Sequence, residues 1–203
     1  MGKVVVSEFI TLDGVIENPG GSEDTADGGW SFRHPAPDGM QFKFEELRAS
    51  DVQLLGRVTY EGFAADWPAM EASTGEFGEK MNAMPKVVVS STLTDPAWRN
   101  TTVISGNLPG EVARLKQRYP GDILVAGSAT LVRSLAEHNL VDEYRLIVHP
   151  IVLGHGKRLF PDGFPGADLE LTESRKAGPD VLLLIYRPRP AEAGAAADGA
   201  AES

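Results

Sequence analysis

Two segments of this 203-residue chain join an apolar run to a small-residue turn and then to a stretch with helical spacing. The first is Leu55-Gly56-Arg57-Val58-Thr59-Tyr60-Glu61. A helix start offers free N–H groups and positive potential to an anion, and Arg57 can add a charged planar fork. The same residues also fit a plain strand-to-helix turn, with Gly56 used for its dihedral freedom and Arg57 paired to a surface acid. The second segment is Ile123-Leu124-Val125-Ala126-Gly127-Ser128-Ala129-Thr130-Leu131. Its small side chains let the backbone approach a pyrophosphate, and Ser128 or Thr130 can add a hydroxyl contact. Neither segment carries the glycine spacing of a Rossmann turn or a Walker loop. Two such turns in one parallel sheet reinforce each other, because ligands collect at the carboxyl ends of its strands.

Two further segments are suggestive. Val88-Val89-Ser90-Ser91-Thr92 puts three hydroxyls at a strand end, suited to a ribose or 2′-phosphate and equally to capping a turn. The run Val148 to Phe160 ends a strand in Gly154-His155-Gly156, followed by Lys157 and Arg158, which also read as a solvated basic pair. Other chemistries are excluded. With no Cys there is no disulfide, thiolate metal site or cysteine nucleophile. His149 and His155 lack a metal-ligand spacing, so no metal is expected. No G-x-S-x-G elbow marks a serine hydrolase.

The elements that must hold these residues are legible from periodicity. Strand-like runs occur at 3–9, 52–56, 86–91, 101–105, 122–126, 142–148, 168–174 and 181–187. Helical spacing appears around Phe42, Phe44 and Leu47, around Val112 and Leu115, and around Leu131, Val132 and Leu135. Strands alternating with helices predict an α/β fold with a mainly parallel sheet covered on both faces, and the final strands predict an antiparallel edge. Residues 17–39 read as a lid or binding loop, too polar for core yet holding Trp30 and Phe32. The domain is expected to span 1–189, with 190–203 an Ala/Gly/Glu tail that has little to bury. A net charge of −10 opposes nucleic acid and anionic lipid as partners. No stretch approaches the ~20 apolar residues of a membrane span, and Val4-Val5-Val6 is broken too early for a signal-peptide core, so a cytoplasmic protein is expected.

Taken in order, Thr11-Leu12-Asp13-Gly14-Val15-Ile16, Gly56 to Glu61, Ser90-Ser91, Val125 to Thr130, and Asp142-Glu143 followed by Pro150 to Phe160 resemble the dihydrofolate reductase superfamily. The last motif resembles most closely the reductase domain of bifunctional riboflavin-biosynthesis proteins and its stand-alone relatives. The resemblance covers Lys3 to about Pro188. It implies a dihydrofolate reductase-like three-layer sandwich, with a mostly parallel eight-stranded sheet and an antiparallel C-terminal strand pair. It also implies NADPH as cofactor, a homodimer, and hydride transfer to a small heterocyclic or carbonyl substrate.

By the same resemblance, Gly56, Arg57, Val58 and Thr59, together with Gly127, Ser128, Ala129, Thr130 and Leu131, would face the cofactor's phosphates. Ser90 and Ser91 would lie near the 2′-phosphate, and Thr11, Val15 and Ile16 would border the nicotinamide. Where folate reductases carry a substrate-binding carboxylate on the first helix, this chain has Met40 and Gln41, which argues against dihydrofolate itself. Glu45 and Glu46 follow one turn later; at least one of them is expected on an exposed helix face. Asp13 and Glu45 are the candidate catalytic carboxylates, with Asp13 also readable as a turn former beside Gly14. Trp30, Phe44 and Trp67 are candidate walls of a substrate pocket, although aromatics at helical spacing also fit a core. Asp66-Trp67-Pro68 can close that pocket or end its helix. The rival expectation is a homodimeric protein that binds NADPH or another small ligand without efficient turnover. The apolar run 181–186 must be covered or paired if it is not to be an open edge.

Overall fold

The computed structural model describes residues 1–21 and 25–190. Eight strands form one sheet: β1 (Val4–Thr11), β2 (Ser50–Gly56), β3 (Lys86–Val89), β4 (Thr101–Ile104), β5 (Asp122–Val125), β6 (Glu143–His149), β7 (Leu169–Lys176) and β8 (Leu182–Pro188). All eight sequence runs are strands, with ends displaced by a few residues at most. The order is β4-β3-β2-β5-β1-β6-β8-β7. Pairing is parallel from β4 to β6, and β8 lies antiparallel between β6 and β7. The apolar last strand is therefore interior. The edge on that side is β7, whose exposed residues include Glu170, Glu173, Arg175 and Lys176, charges that oppose edge-to-edge pairing.

Among the described residues five α-helices cover the sheet: α1 (Pro37–Ala49), α2 (Arg57–Thr74), α3 (Glu76–Ala83), α4 (Leu108–Arg118) and α5 (Ala129–Glu137). Alternation along the strands assigns the faces. Val4, Val6, Val52, Leu54, Ile123 and Val125 pack with Val112 and Leu115 of α4 and with Leu131, Val132 and Leu135 of α5. On the opposite face Leu55, Val88 and Leu124 pack with Leu47 of α1, Tyr60 of α2 and Met81 of α3. A smaller cluster, Ile147, Val181, Leu183 and Ile185, is covered by Phe42 of α1. Sequence spacing missed α3, and α2 runs through Pro68 to Thr74, so Asp66-Trp67-Pro68 does not end that helix.

The register opens the space where chemistry belongs. β1 pairs with β5 only at Val4, Val5 and Val6, yet stays paired with β6 out to Thr11. Beyond Val6 the two strands part, and the β5–α5 turn occupies the fork. Ligands of open α/β sheets sit outside the carboxyl ends of the strands in such crevices.

Candidate functional site

At this fork the starts of α2 and α5 meet. Gly56 caps α2 in an extended conformation, and a Cβ added there would lie 2.3 Å from the Ser128 Oγ. Ser128 caps α5, its hydroxyl accepting from the Leu131 N–H at 3.4 Å. Gly127 has φ +80°, which favours glycine, and a Cβ there would lie 2.9 Å from the Thr59 Oγ1. The Gly127–Ser128 peptide is cis. Residues 57–59 and 128–131, more than sixty positions apart in sequence, thus present two helix N-termini side by side. Val58 and Thr130 are exposed there, as is Arg57, whose guanidinium holds Glu61 at 2.8 Å. Ser90 sits at the end of β3, where its hydroxyl accepts from the Thr92 and Leu93 N–H groups, the turn-capping arrangement; Ser91 is exposed.

The loop after β1 is laced to the loop after β6. The Thr11 hydroxyl donates to Asp13 Oδ1 at 2.7 Å and accepts from the Val15 N–H. Asp13 also accepts from the N–H groups of Leu153 and Gly154, and Arg158 Nε donates to the Asp13 carbonyl. Val15 and Ile16 are buried under this lacing. The Thr11 hydroxyl, opposed by partial burial and aided by the two loop N–H groups, holds the Asp13 carboxyl down at about 2. A carboxylate this firmly ionised fastens two loops and is a poor proton donor near neutral pH. Glu45, the other carboxylate considered, is on the exposed face of α1 and accepts from Gln41 at 2.9 Å.

Its neighbour Glu46 is the buried one. It accepts from Ser7 Oγ at 2.8 Å, Lys43 Nζ at 2.9 Å and Arg145 Nη1 at 3.2 Å. Arg145 in turn reaches Glu143 and Asp122. Helical phase separates the pair: adjacent residues point about 100° apart, so one faces β1 and the other faces water.

Glu8 and His149 are buried groups to which the sequence assigned no role. Glu8, on β1, is 7% exposed, and its Oε1 has no hydrogen-bond partner among the described residues. Burial pushes its carboxyl up to about 8, against the opposing pull of Lys43 and the Gly127 N–H and with a small push from Glu46. The available signal was the acid standing in phase with Val4, Val6 and Ile10 on a strand face that is otherwise apolar. His149 ends β6 wedged between Phe9 and Trp30, and neither ring nitrogen has a hydrogen-bond partner among the described residues. Burial, with a contribution from His34, lowers it to about 4, so the ring is neutral.

The three aromatic candidates do not converge. Trp30 is fully buried against His149, its indole N–H donating to the Glu17 carbonyl at 2.7 Å. Phe44 and Trp67 both pack on Phe77, in the layer formed by α1, α2 and α3. A groove of about 740 Å³ lies along the later half of α2, lined by Ala64, Pro68, Ala72, Asn82, Trp98 and Arg99. Its lining begins at Ala64, about two turns along α2 from Arg57, and includes none of residues 56–59 or 127–131. Among the described residues no cluster of His, Asp or Glu is arranged to hold a metal, and no helix is long and apolar enough to cross a membrane.

The sequence model of the RibD C-terminal domain matches residues 2–183. The chain belongs to this family. Among curated proteins, it is 29% identical over 186 residues to the uncharacterized protein YyaP of Bacillus subtilis, covering 91% of this chain and 94% of that one. Among solved structures, it resembles a protein described as a riboflavin biosynthesis protein from Shewanella sp. PV-4, with TM-score 0.72 and 21% identity over 93% of this chain and 99% of the other. It also resembles dihydrofolate reductase from Enterococcus faecalis, solved with NADP(H) and RAB-propyl, with TM-score 0.60 and 16% identity over 93% and 98% of the two chains. These likenesses show the fold: a RibD C-terminal domain with the dihydrofolate reductase-like architecture, of the type found in reductases.

Proposed function

We propose that this RibD C-terminal domain protein is an NADPH-dependent reductase of a small heterocyclic or carbonyl compound. The observation that carries the reading is the junction of two helix starts at Gly56 and Ser128, where a single added methyl would fill the space between them. The residues fit a dinucleotide: free N–H groups at two helix N-termini suit a pyrophosphate, and Gly127 leaves the backbone bare beside Thr59. Arg57 is exposed and supplies the planar fork that suits an additional phosphate. When bound, the nicotinamide supplies the hydride.

The protein's own part is positioning and electrostatics. Gly56 to Thr59 and Gly127 to Leu131 hold anionic groups through backbone N–H donors. Thr11, Val15 and Ile16 form a wall whose shape is set by the Asp13 lacing. Glu46, Lys43 and Ser7 set a polar floor between α1 and β1. The supporting test is titration of the purified protein with NADPH, followed by cofactor fluorescence. Saturation below millimolar cofactor is expected; its absence refutes the reading.

The second reading, binding without efficient turnover, is favoured by the placement of Asp13 and Glu45, neither of which is set to deliver a proton. A panel of pterins, pyrimidines, quinones and aldehydes separates the two. Cofactor oxidation with any of them supports the reductase, and binding without oxidation across the panel supports the rival.

A further inference from the structure

Glu8 is a buried acid with no part in the proposed function. Its Oε1, without a hydrogen-bond partner among the described residues, lies 3.9 Å from where a Gly127 Cβ would stand, a point that also has the Thr59 Oγ1 at 2.9 Å. The carboxyl thus stands beside the Gly127 backbone of the β5–α5 turn, next to the start of α5 and close to Thr59 in the first turn of α2. Its free oxygen has almost no accessible surface, so it acts on a ligand through its charge state rather than by touching it.

The surrounding charges are few. Lys43 and Glu46 of α1 act on Glu8 with opposite signs. Arg145 of β6 is engaged with Glu46, Glu143 and Asp122. On α2, Thr59 contributes a hydroxyl, while Arg57 and Glu61 are exposed and paired with each other. On the α5 side the group facing it is the Gly127 backbone.

We infer that Glu8 makes anion binding at the α2–α5 junction proton-linked: as a neutral acid it leaves the two helix N-termini net positive, and as a carboxylate it opposes a bound phosphate. The inference rests on the nucleotide reading of this junction. The sign follows from linkage. Burial raises the acid to about 8 in the free protein; a phosphate nearby favours the neutral form further, so binding at that pH takes up a proton and affinity falls as pH rises through this range.

The experiment is calorimetric titration of the full chain with NADPH at pH 7 to 9.5, repeated near pH 8 in buffers of different ionisation enthalpy. For the wild type, affinity is expected to fall by about tenfold across that range, with net proton uptake near pH 8. Glu8→Gln keeps shape and polarity without a titrating proton, so its affinity should be flat over the range and its proton uptake absent. Equal pH profiles and equal proton uptake in wild type and Glu8→Gln overturn the inference while leaving the nucleotide reading intact. Failure of both proteins to bind NADPH at pH 7 overturns the nucleotide reading and the inference with it. Should Glu8→Gln not fold, absence of proton uptake by the wild type near pH 8 is by itself decisive against the inference.

Discussion

Replacing Gly56 with alanine probes the contact on which the site is built. Gly56 has φ −75° and ψ 156°, a conformation open to any residue, so the substitution carries no backbone penalty. Its whole effect is steric: the new methyl would stand 2.3 Å from the Ser128 Oγ, 3.1 Å from the Ser128 Cβ and 3.3 Å from the Ser128 N. Forcing a methyl into packed space costs about 1–3 kcal/mol, which for a chain of this size lowers Tm by roughly 2–12 °C. Ser128→Gly removes the two closest atoms and itself costs only about a few tenths of a kcal/mol as a lost N-cap. The double variant Gly56→Ala/Ser128→Gly should therefore recover most of the loss, with a coupling of about 1 kcal/mol or more in a denaturant double-mutant cycle. NADPH affinity should fall in Gly56→Ala, because parting the helix starts misaligns their N–H groups. Strict additivity of the two substitutions would refute the claim that the starts of α2 and α5 are in direct contact.

Three other expectations follow from the same geometry. Arg57→Ala should weaken NADPH by about tenfold more than NADH, since one charge-assisted pair is lost only with the extra phosphate; equal losses for the two cofactors contradict that role. His149 is held neutral at about 4, below its ordinary value of 6.5, so the stability it supports is complete above pH 6.5 and drains as pH falls toward 4. That loss is at most about 3 kcal/mol, and chemical denaturation at pH 7 and pH 4.5 should show it in wild type and show less of it in His149→Phe. Asp13→Ala, which frees the N–H groups of Leu153 and Gly154, should cost about 1–2 kcal/mol and raise amide exchange in the two laced loops; unchanged exchange would show that the lacing holds nothing. Because the Asp13 carboxyl is lowered from 3.8 to about 2, its contribution is full above about pH 4 and is lost as pH falls through 2.

Much of this fold was legible in the sequence because β-branched runs and glycine turns punctuate it strongly. The strands at 86–91 and 101–105, for example, needed only their Val and Thr content and their flanking turns. The helix at Glu76–Ala83 was missed because it is short and carries few apolar residues, its place being set by packing on α2 rather than by its own pattern. Pro68 misled for a related reason: tertiary contacts hold α2 together through a residue that lacks an N–H. At the site, the turns at Gly56 and Gly127 were readable one by one, but their mutual contact depends on β2 and β5 being neighbours, which no local spacing reports. Glu45 and Glu46 could not be sorted without the helix phase relative to β1. Trp30, Phe44 and Trp67 were grouped by chemistry alone, and the fold sends the first under the β1–β6 loops and the other two against Phe77. Glu8 was hidden in the opposite way, as a single acid inside a run that reads as core. A net charge of −10 likewise said nothing about a local site built from backbone dipoles.

The proposed function requires a nicotinamide dinucleotide to lie across the starts of α2 and α5. Backbone ¹⁵N–¹H correlation spectra of the labelled protein, recorded through an NADPH titration, address both the binding and its place. Saturable shifts are expected, centred on the amides of residues 57–60 and 127–131, with smaller ones around Thr11 to Ile16 and little change along the groove at Ala64, Ala72 and Trp98. Absence of saturable shifts, or shifts centred on that groove, would contradict the proposed function.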